Sequence, residues 1–189
     1  EHFSYFTVKP LAKFFDSLGM DLIDAYRVET KGGSIRYTIQ LKGGPRTQSP
    51  NIANLISEEE ALNIFDPNSF EEYRNKIAKA KETTMACIKD LKDQGKTIVG
   101  FGASATSTTL IYHFGMGEIL DYLVDDYKDK QGLYSPGFDI PVYSGEKLYE
   151  TKPDYVVVLA WRYYEPIVKN YQKYLNEGGH FIVPLPALQ

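Results

Sequence analysis

The stretch TIVGFGASATSTTLIYHFG, residues 97–115, decides the fold. A short apolar run ends in Gly100-Phe101-Gly102. Small and hydroxyl residues follow, and Leu110, Ile111 and Phe114 return at helical spacing. This is the pattern of a buried strand turning sharply into a helix, with glycine where the turn is tightest. Gly100-x-Gly102-x-x-Ala105 satisfies the dinucleotide fingerprint in its Gly/Ala form, and Asp125 stands at the end of the next apolar run. Taken alone, the turn predicts NAD, with pyrophosphate on the helix N-terminus and Asp125 on the ribose. A purely steric reading stands beside it, because a tight strand-to-helix turn needs glycine in sheets that bind nothing.

Downstream, strand and helix alternate. LDYLVDD (120–126), DYVVVLA (154–160) and HFIVPLP (180–186) read as strands, Ser104 to Phe114 and Tyr163 to Asn176 as helices, and Glu146 to Glu150 as a short helix. Continuous Val, Ile and Leu runs joined by helices predict an α/β, Rossmann-like, mostly parallel sheet covered by helices on both faces. Ligands of such sheets bind at the carboxyl ends of the strands, near the switch in strand order. That rule points to Gly100 through Ser107, to Asp125 and Asp126, and to Ala160 through Arg162.

Upstream, Thr7 reads as an N-cap with Pro10 in the tolerated first turn. Leu11, Phe14, Phe15 and Leu18 form one apolar face, which Gly19 ends. MDLIDAYRV (20–28), a Gly32-Gly33 turn and SIRYTIQL (34–41) follow as a hairpin, with Ile35, Tyr37, Ile39 and Leu41 on one side. A helix plus hairpin of this size cannot bury such faces alone, so it reads as an end-piece that completes a larger sheet or docks on the rest of the chain. GGPRTQSPN (43–51) has linker composition, Ser57-x-x-Glu60 suggests a capping box, and Asp66-Pro67 opens a long helix to about Gln94. Phe70, Tyr73, Ile77, Ala80, Thr84, Cys87 and Leu91 make its stripe, read as a packing face. The expected organisation is an end-piece over 1–42, linker and short helix over 43–66, and long helix plus Rossmann-like domain over 67–189.

A net charge of −4 gives no broad basic field for nucleic acid or an anionic membrane, so an anionic ligand must be held locally. Cys87 is the single cysteine, which excludes a disulfide framework and a cysteine-rich metal site and points to a reducing cytoplasm. No metal site is expected, and no apolar run has the length of a membrane span. His113 and His180 read as structural, so hydride chemistry finds no support in the histidines. The opening EHFSYFTV, without methionine and rich in aromatics, reads as a piece of a longer protein.

Four stretches carry a resemblance: EHFSYFTVKPLAKFFDSLGMDLIDAYRVETKGGSIRYTI, GFGASATSTTLIYHFG, YLVDDYKDKQGLYSPGFDIPVY and PDYVVVLAWRYYEPIV. Together they resemble the C-terminal part of the S-adenosylmethionine-dependent sugar C-methyltransferases, which act on nucleotide-linked (NDP) keto-deoxysugars. The resemblance implies a zinc-binding region and a methyltransferase domain upstream. The first residues here would close the methyltransferase sheet, and the region from Thr97 onward would help anchor the NDP-sugar. It implies S-adenosylmethionine as cofactor of the parent enzyme, bound mainly outside this chain, and no methylation by the piece alone. Glu1-His2 match the end of a catalytic motif, His2 as base or polarising group with Glu1 orienting it. Gly100, Gly102, Ala103 and Ser104 would offer amides and a hydroxyl to the substrate, Trp161 a ring, Arg162 a guanidinium, and Tyr134 a wall of the cleft. Thr106 departs from the basic residue often found after this turn in the family. Two other readings stay open at this point: an NAD(P)-binding fragment of an oxidoreductase that requires Asp125, and a non-catalytic interaction domain.

Overall fold

The computed structural model describes residues 4–30 and 33–188. Two compact units divide the chain between Arg74 and Asn75, inside a long helix.

The first unit contains α1 (Val8–Ser17), β1 (Met20–Val28), β2 (Ser34–Leu41) and α2 (Pro50–Ala61). β1 and β2 pair antiparallel, from Met20 opposite Leu41 to Val28 opposite Ser34. Val8, Leu22, Ala25, Ile52 and Leu55 form its small core. Helix α2 begins earlier than Ser57-x-x-Glu60 suggests. Ser49 caps it, its Oγ accepting the Asn51 N–H at 3.2 Å, and Pro50 fills the first turn. Ser57 and Glu60 therefore lie inside the helix, because Ser49-Pro50 is the stronger start signal and Ile52 and Leu55 bury at helical spacing. Thr7 occupies the N-cap position of α1, yet its side chain makes no capping bond. The buried Glu59 of α2 takes that role, accepting the N–H groups of Val8 and, at 3.0 Å, Lys9. On β2, Ile35 and Tyr37 pack on the core, whereas Leu41 is 72% exposed.

Helix α3 spans Pro67–Asp93. Beyond it the second unit holds β3 (Ile98–Phe101), α4 (Ala105–Phe114), β4 (Leu123–Val124), β5 (Val142–Tyr143), α5 (Lys147–Thr151), β6 (Tyr155–Val158), α6 (Tyr164–Asn170), α7 (Gln172–Asn176) and β7 (His180–Ile182). All five strands are parallel, in the order β5-β4-β3-β6-β7. The single helix expected over 163–176 is two, interrupted at Tyr171 and preceded by a 3-10 turn over Trp161–Tyr163.

Side chains alternate between the two faces of the sheet. Ile98, Val157 and Leu159 join α3 and α4 residues on one face, while Val99, Val156 and Val158 join α5, α6 and α7 residues on the other. Each face is thus sealed by helices, as a parallel sheet requires. On α3 the packing residues are Ala80, Met85, Ile88 and Leu91. Phe70 and Tyr73, in the first unit, stand exposed, so the continuous stripe read from sequence serves as core only in its second half.

Both sheet edges are modified. Outside β5, residues 132–135 run antiparallel to 140–142, with Tyr134 bridged to Pro141 and Ser135 N–H donating to Ile140 O at 2.8 Å. On the other side, the three-residue β7 runs into Pro184 and Pro186. Among the described residues, no helix is long and apolar enough to cross a membrane, and no group of three or more His, Cys, Asp or Glu is placed to hold a metal ion.

Candidate functional site

The strand order reverses direction between β3 and β6, and sheets of this kind take ligands in the crevice at the carboxyl ends of the strands flanking that switch. The turn after β3 and the turn after β6 lie there. Gly102 has φ +108°, a conformation L side chains rarely adopt, and its backbone is pressed against Ala160. Leu159 N–H and Ala160 N–H both donate to Phe101 O, at 2.9 and 3.1 Å, which draws the two turns together. Gly100 is needed for a different reason. A Cβ there would lie 2.5 Å from Leu123 Cδ2 and 2.8 Å from Leu159 Cδ1, inside the core.

The amides of this turn are largely engaged. Gly102 N–H donates to Val124 O at 2.8 Å, and Ala103 N–H donates to Asp125 Oδ2 at 2.7 Å. Ser104 caps α4, its Oγ accepting Ser107 N–H at 3.2 Å and lying 3.0 Å from Ser107 Oγ. The hydroxyl residues after the turn therefore serve first to start the helix. Ala105 and Thr106 are exposed at its first turn.

Asp125 sits at the end of β4, where the fingerprint places an acidic residue, but its carboxylate faces the protein's own groups. Besides Ala103 it accepts Tyr127 N–H at 2.9 Å and the Lys130 ammonium at 3.2 Å. Gln131 Nε2 donates to the Asp125 carbonyl oxygen at 2.9 Å. Next to it, Tyr171 donates its hydroxyl to Asp126, and burial together with that carboxylate pushes the Tyr171 phenol well above its ordinary range.

Across the crevice, Trp161 is partly buried and touches the clusters on both faces of the sheet, closing its end. The Arg162 guanidinium lies 5.2 Å from the Trp161 ring centre and is exposed. Gly102, Ala103 and Ser104 thus lie on the turn after β3 and Trp161 and Arg162 on the turn after β6, joined through Gly102 and Ala160, with Gly100 beneath in the core. Tyr134 is not among them. It lies on the strip outside β5, two strands beyond β3, and is exposed there. Glu1 and His2 lie outside the described residues. His113 is exposed, and His180 stacks on Tyr155 at 5.1 Å, far from the crevice at the amino end of β7.

A cavity of about 210 Å³ opens at the opposite, amino end of the sheet, lined by Leu148, Lys152, Asp154, Tyr174 and Glu177 among others. Asp154 there accepts Thr97 N–H at 2.9 Å, Thr97 Oγ1 at 2.8 Å and Lys96 Nζ at 3.1 Å. These bonds hold its carboxyl down to about 2. The group ties the start of β3 to the start of β6. Sequence reading pointed to Asp125 and Ala160 but missed that Asp125 faces inward and that Ala160 packs against Gly102. The signal for the former was local, since Lys130 and Gln131 of the KQG run stand within reach of Asp125.

The second unit is a Rossmann-like parallel sheet, and the chain belongs to the family described as the C-methyltransferase C-terminal domain, which matches residues 29–186. It is similar to the C-methyltransferase NovU of Streptomyces niveus, 30% identical over 187 residues, covering 98% of this chain and 44% of NovU. The chain thus spans less than half the length of that relative.

Proposed function

We propose that this domain anchors an NDP-linked keto-deoxysugar for S-adenosylmethionine-dependent C-methylation. The observation that carries the reading is the packing of Gly102 against Ala160, next to the Trp161–Arg162 pair, at the strand-order switch of a C-methyltransferase family domain. The rim offers a guanidinium for phosphate oxygens, an aromatic edge, and a helix N-terminus whose dipole favours negative charge.

Methylation beside a ketone needs a base that removes the adjacent proton while the carbonyl oxygen takes up the enolate charge. His2 is the base in this reading and Glu1 orients it. An enolate carbon so formed would be the nucleophile for the transferred methyl group. S-adenosylmethionine supplies the electrophilic methyl group when bound. The Gly100–Ala105 turn does not fit its ribose, because the acidic partner at Asp125 is already engaged by Ala103, Tyr127 and Lys130.

Thermal unfolding with added ligands tests the proposal. dTDP or UDP raises the Tm while NADH leaves it unchanged. A shift with NADH and none with either nucleoside diphosphate sinks the reading.

A further inference from the structure

We infer that Asp125 is the positioning residue of the crevice, holding the Gly102–Ser104 turn in shape, and that this engagement closes the turn to dinucleotides. In dinucleotide-binding sheets the acidic residue at the end of the second strand accepts the ribose hydroxyls, and the second glycine of the turn lets pyrophosphate approach the backbone. Here both features point inward. The carboxylate of Asp125, 13% exposed, takes Ala103 N–H, Tyr127 N–H and Lys130 Nζ. The space beside Gly102 is filled by Ala160, whose Cβ and nitrogen lie 2.9 and 3.1 Å from where a Cβ would stand. A ribose reaching Asp125 would have to displace a part-buried amide and a paired ammonium, leaving both without an acceptor.

The same geometry gives the KQG run a role. Lys130 is held between Asp125 and the Tyr127 ring, 5.7 Å from its centre, and Gln131 ties the Asp125 carbonyl. Gly132, at φ +82°, then carries the chain outward, its N–H donating to Val142 O at 2.8 Å. Lys130 is accordingly a brace and its charge is matched by Asp125, so the phosphate-facing cation of this crevice is Arg162. A ligand suited to such a rim bears a diphosphate and has no second nucleoside to lay along β4. The ligand part of this inference rests on the function proposed above, whereas the brace does not.

Amide hydrogen exchange and ligand titration separate the two. In Asp125→Ala, exchange at Ala103 rises about tenfold or more, as expected when a protecting bond is removed, because local opening no longer costs that bond. dTDP affinity falls about fivefold or more as the turn loosens. Asp125→Asn, which keeps an oxygen for Ala103, restores most of both effects, which a general loss of folding would not do. Lys130→Met, which leaves Asp125 in place, raises Ala103 exchange by a smaller factor. Unchanged Ala103 exchange in both Asp125 variants overturns the inference, as does NADH binding by the unaltered protein that disappears in Asp125→Ala. Absence of dTDP binding alongside Asp125-dependent Ala103 exchange refutes the sugar-nucleotide reading and leaves the brace standing.

Discussion

A Cβ placed on Gly102 would stand 2.9 Å from the Cβ of Ala160, closer than two such atoms approach in folded proteins, and the residue also holds φ +108°. Strain and collision act together at this position. Gly102→Ala is expected to cost about 2–3 kcal/mol of stability. Gly100→Ala should cost less, since the atoms in its way are the terminal methyls of Leu123 and Leu159 and no positive φ is required. Urea unfolding of both variants decides it, and equal losses would show that Ala160 does not confine the turn.

The first unit depends on a cap supplied from a distance. Glu59→Ala removes the acceptor for Val8 and Lys9 at the start of α1, which is expected to cost about 1–2 kcal/mol. Glu59→Gln retains one oxygen and should lose less. Exchange rates of the Val8 and Lys9 amides report the cap directly. Rates unaffected by either change would mean that water serves the helix as well.

Acid stability should bear the mark of Asp154. The folded protein holds its carboxyl at about 2, chiefly through the Thr97 amide and hydroxyl, with Lys96 adding to them. Because the proton binds more weakly in the folded state than in the unfolded chain, this contribution is complete above the ordinary aspartate value near pH 4. It is lost as pH falls from about 4 towards 2. Asp154→Asn should flatten the stability curve across that window while lowering stability at neutral pH. A curve parallel to that of the unaltered protein would exclude Asp154 as its source.

Arg162 is the charged group whose removal should affect the ligand without affecting the fold. It is exposed and touches the Trp161 ring, an arrangement whose loss costs little stability. Arg162→Ala is expected to weaken dTDP binding by about tenfold, the size of one charge-assisted bond to phosphate, with the Tm in the absence of ligand within a degree or two. Calorimetric titration checks this, and unaltered affinity removes Arg162 from the site.

The architecture of the second unit was legible because its signals are local and repeated: apolar strand, glycine turn, hydroxyl cap, then helix, as at Ile98 through Phe114. The start of α2 was less so, since Ser49-Pro50 sits in a stretch whose glycines and prolines resemble a linker. Thr7 shows a second limit. Its type suits a cap, but the choice between its hydroxyl and Glu59 is made by tertiary packing across residues far apart in the chain. For the crevice, spacing identified the turn and the acidic residue that follows it. It did not reveal which way the carboxylate of Asp125 points, and that direction separates a ligand contact from a brace. Tyr134 was grouped with the cleft through the family resemblance of its loop, and the chain carries it to the strip outside β5.

The strip outside β5 and the prolines after β7 have a consequence for biosynthesis. Open strand borders invite recruitment of any extended segment made on the same ribosome, and a β-hairpin precedes this sheet in the polypeptide. One border is covered by residues 132–135, and the other is a three-residue strand followed by Pro184 and Pro186, which lack amide donors. Each border of the parallel sheet thus offers an extended segment little backbone to pair with.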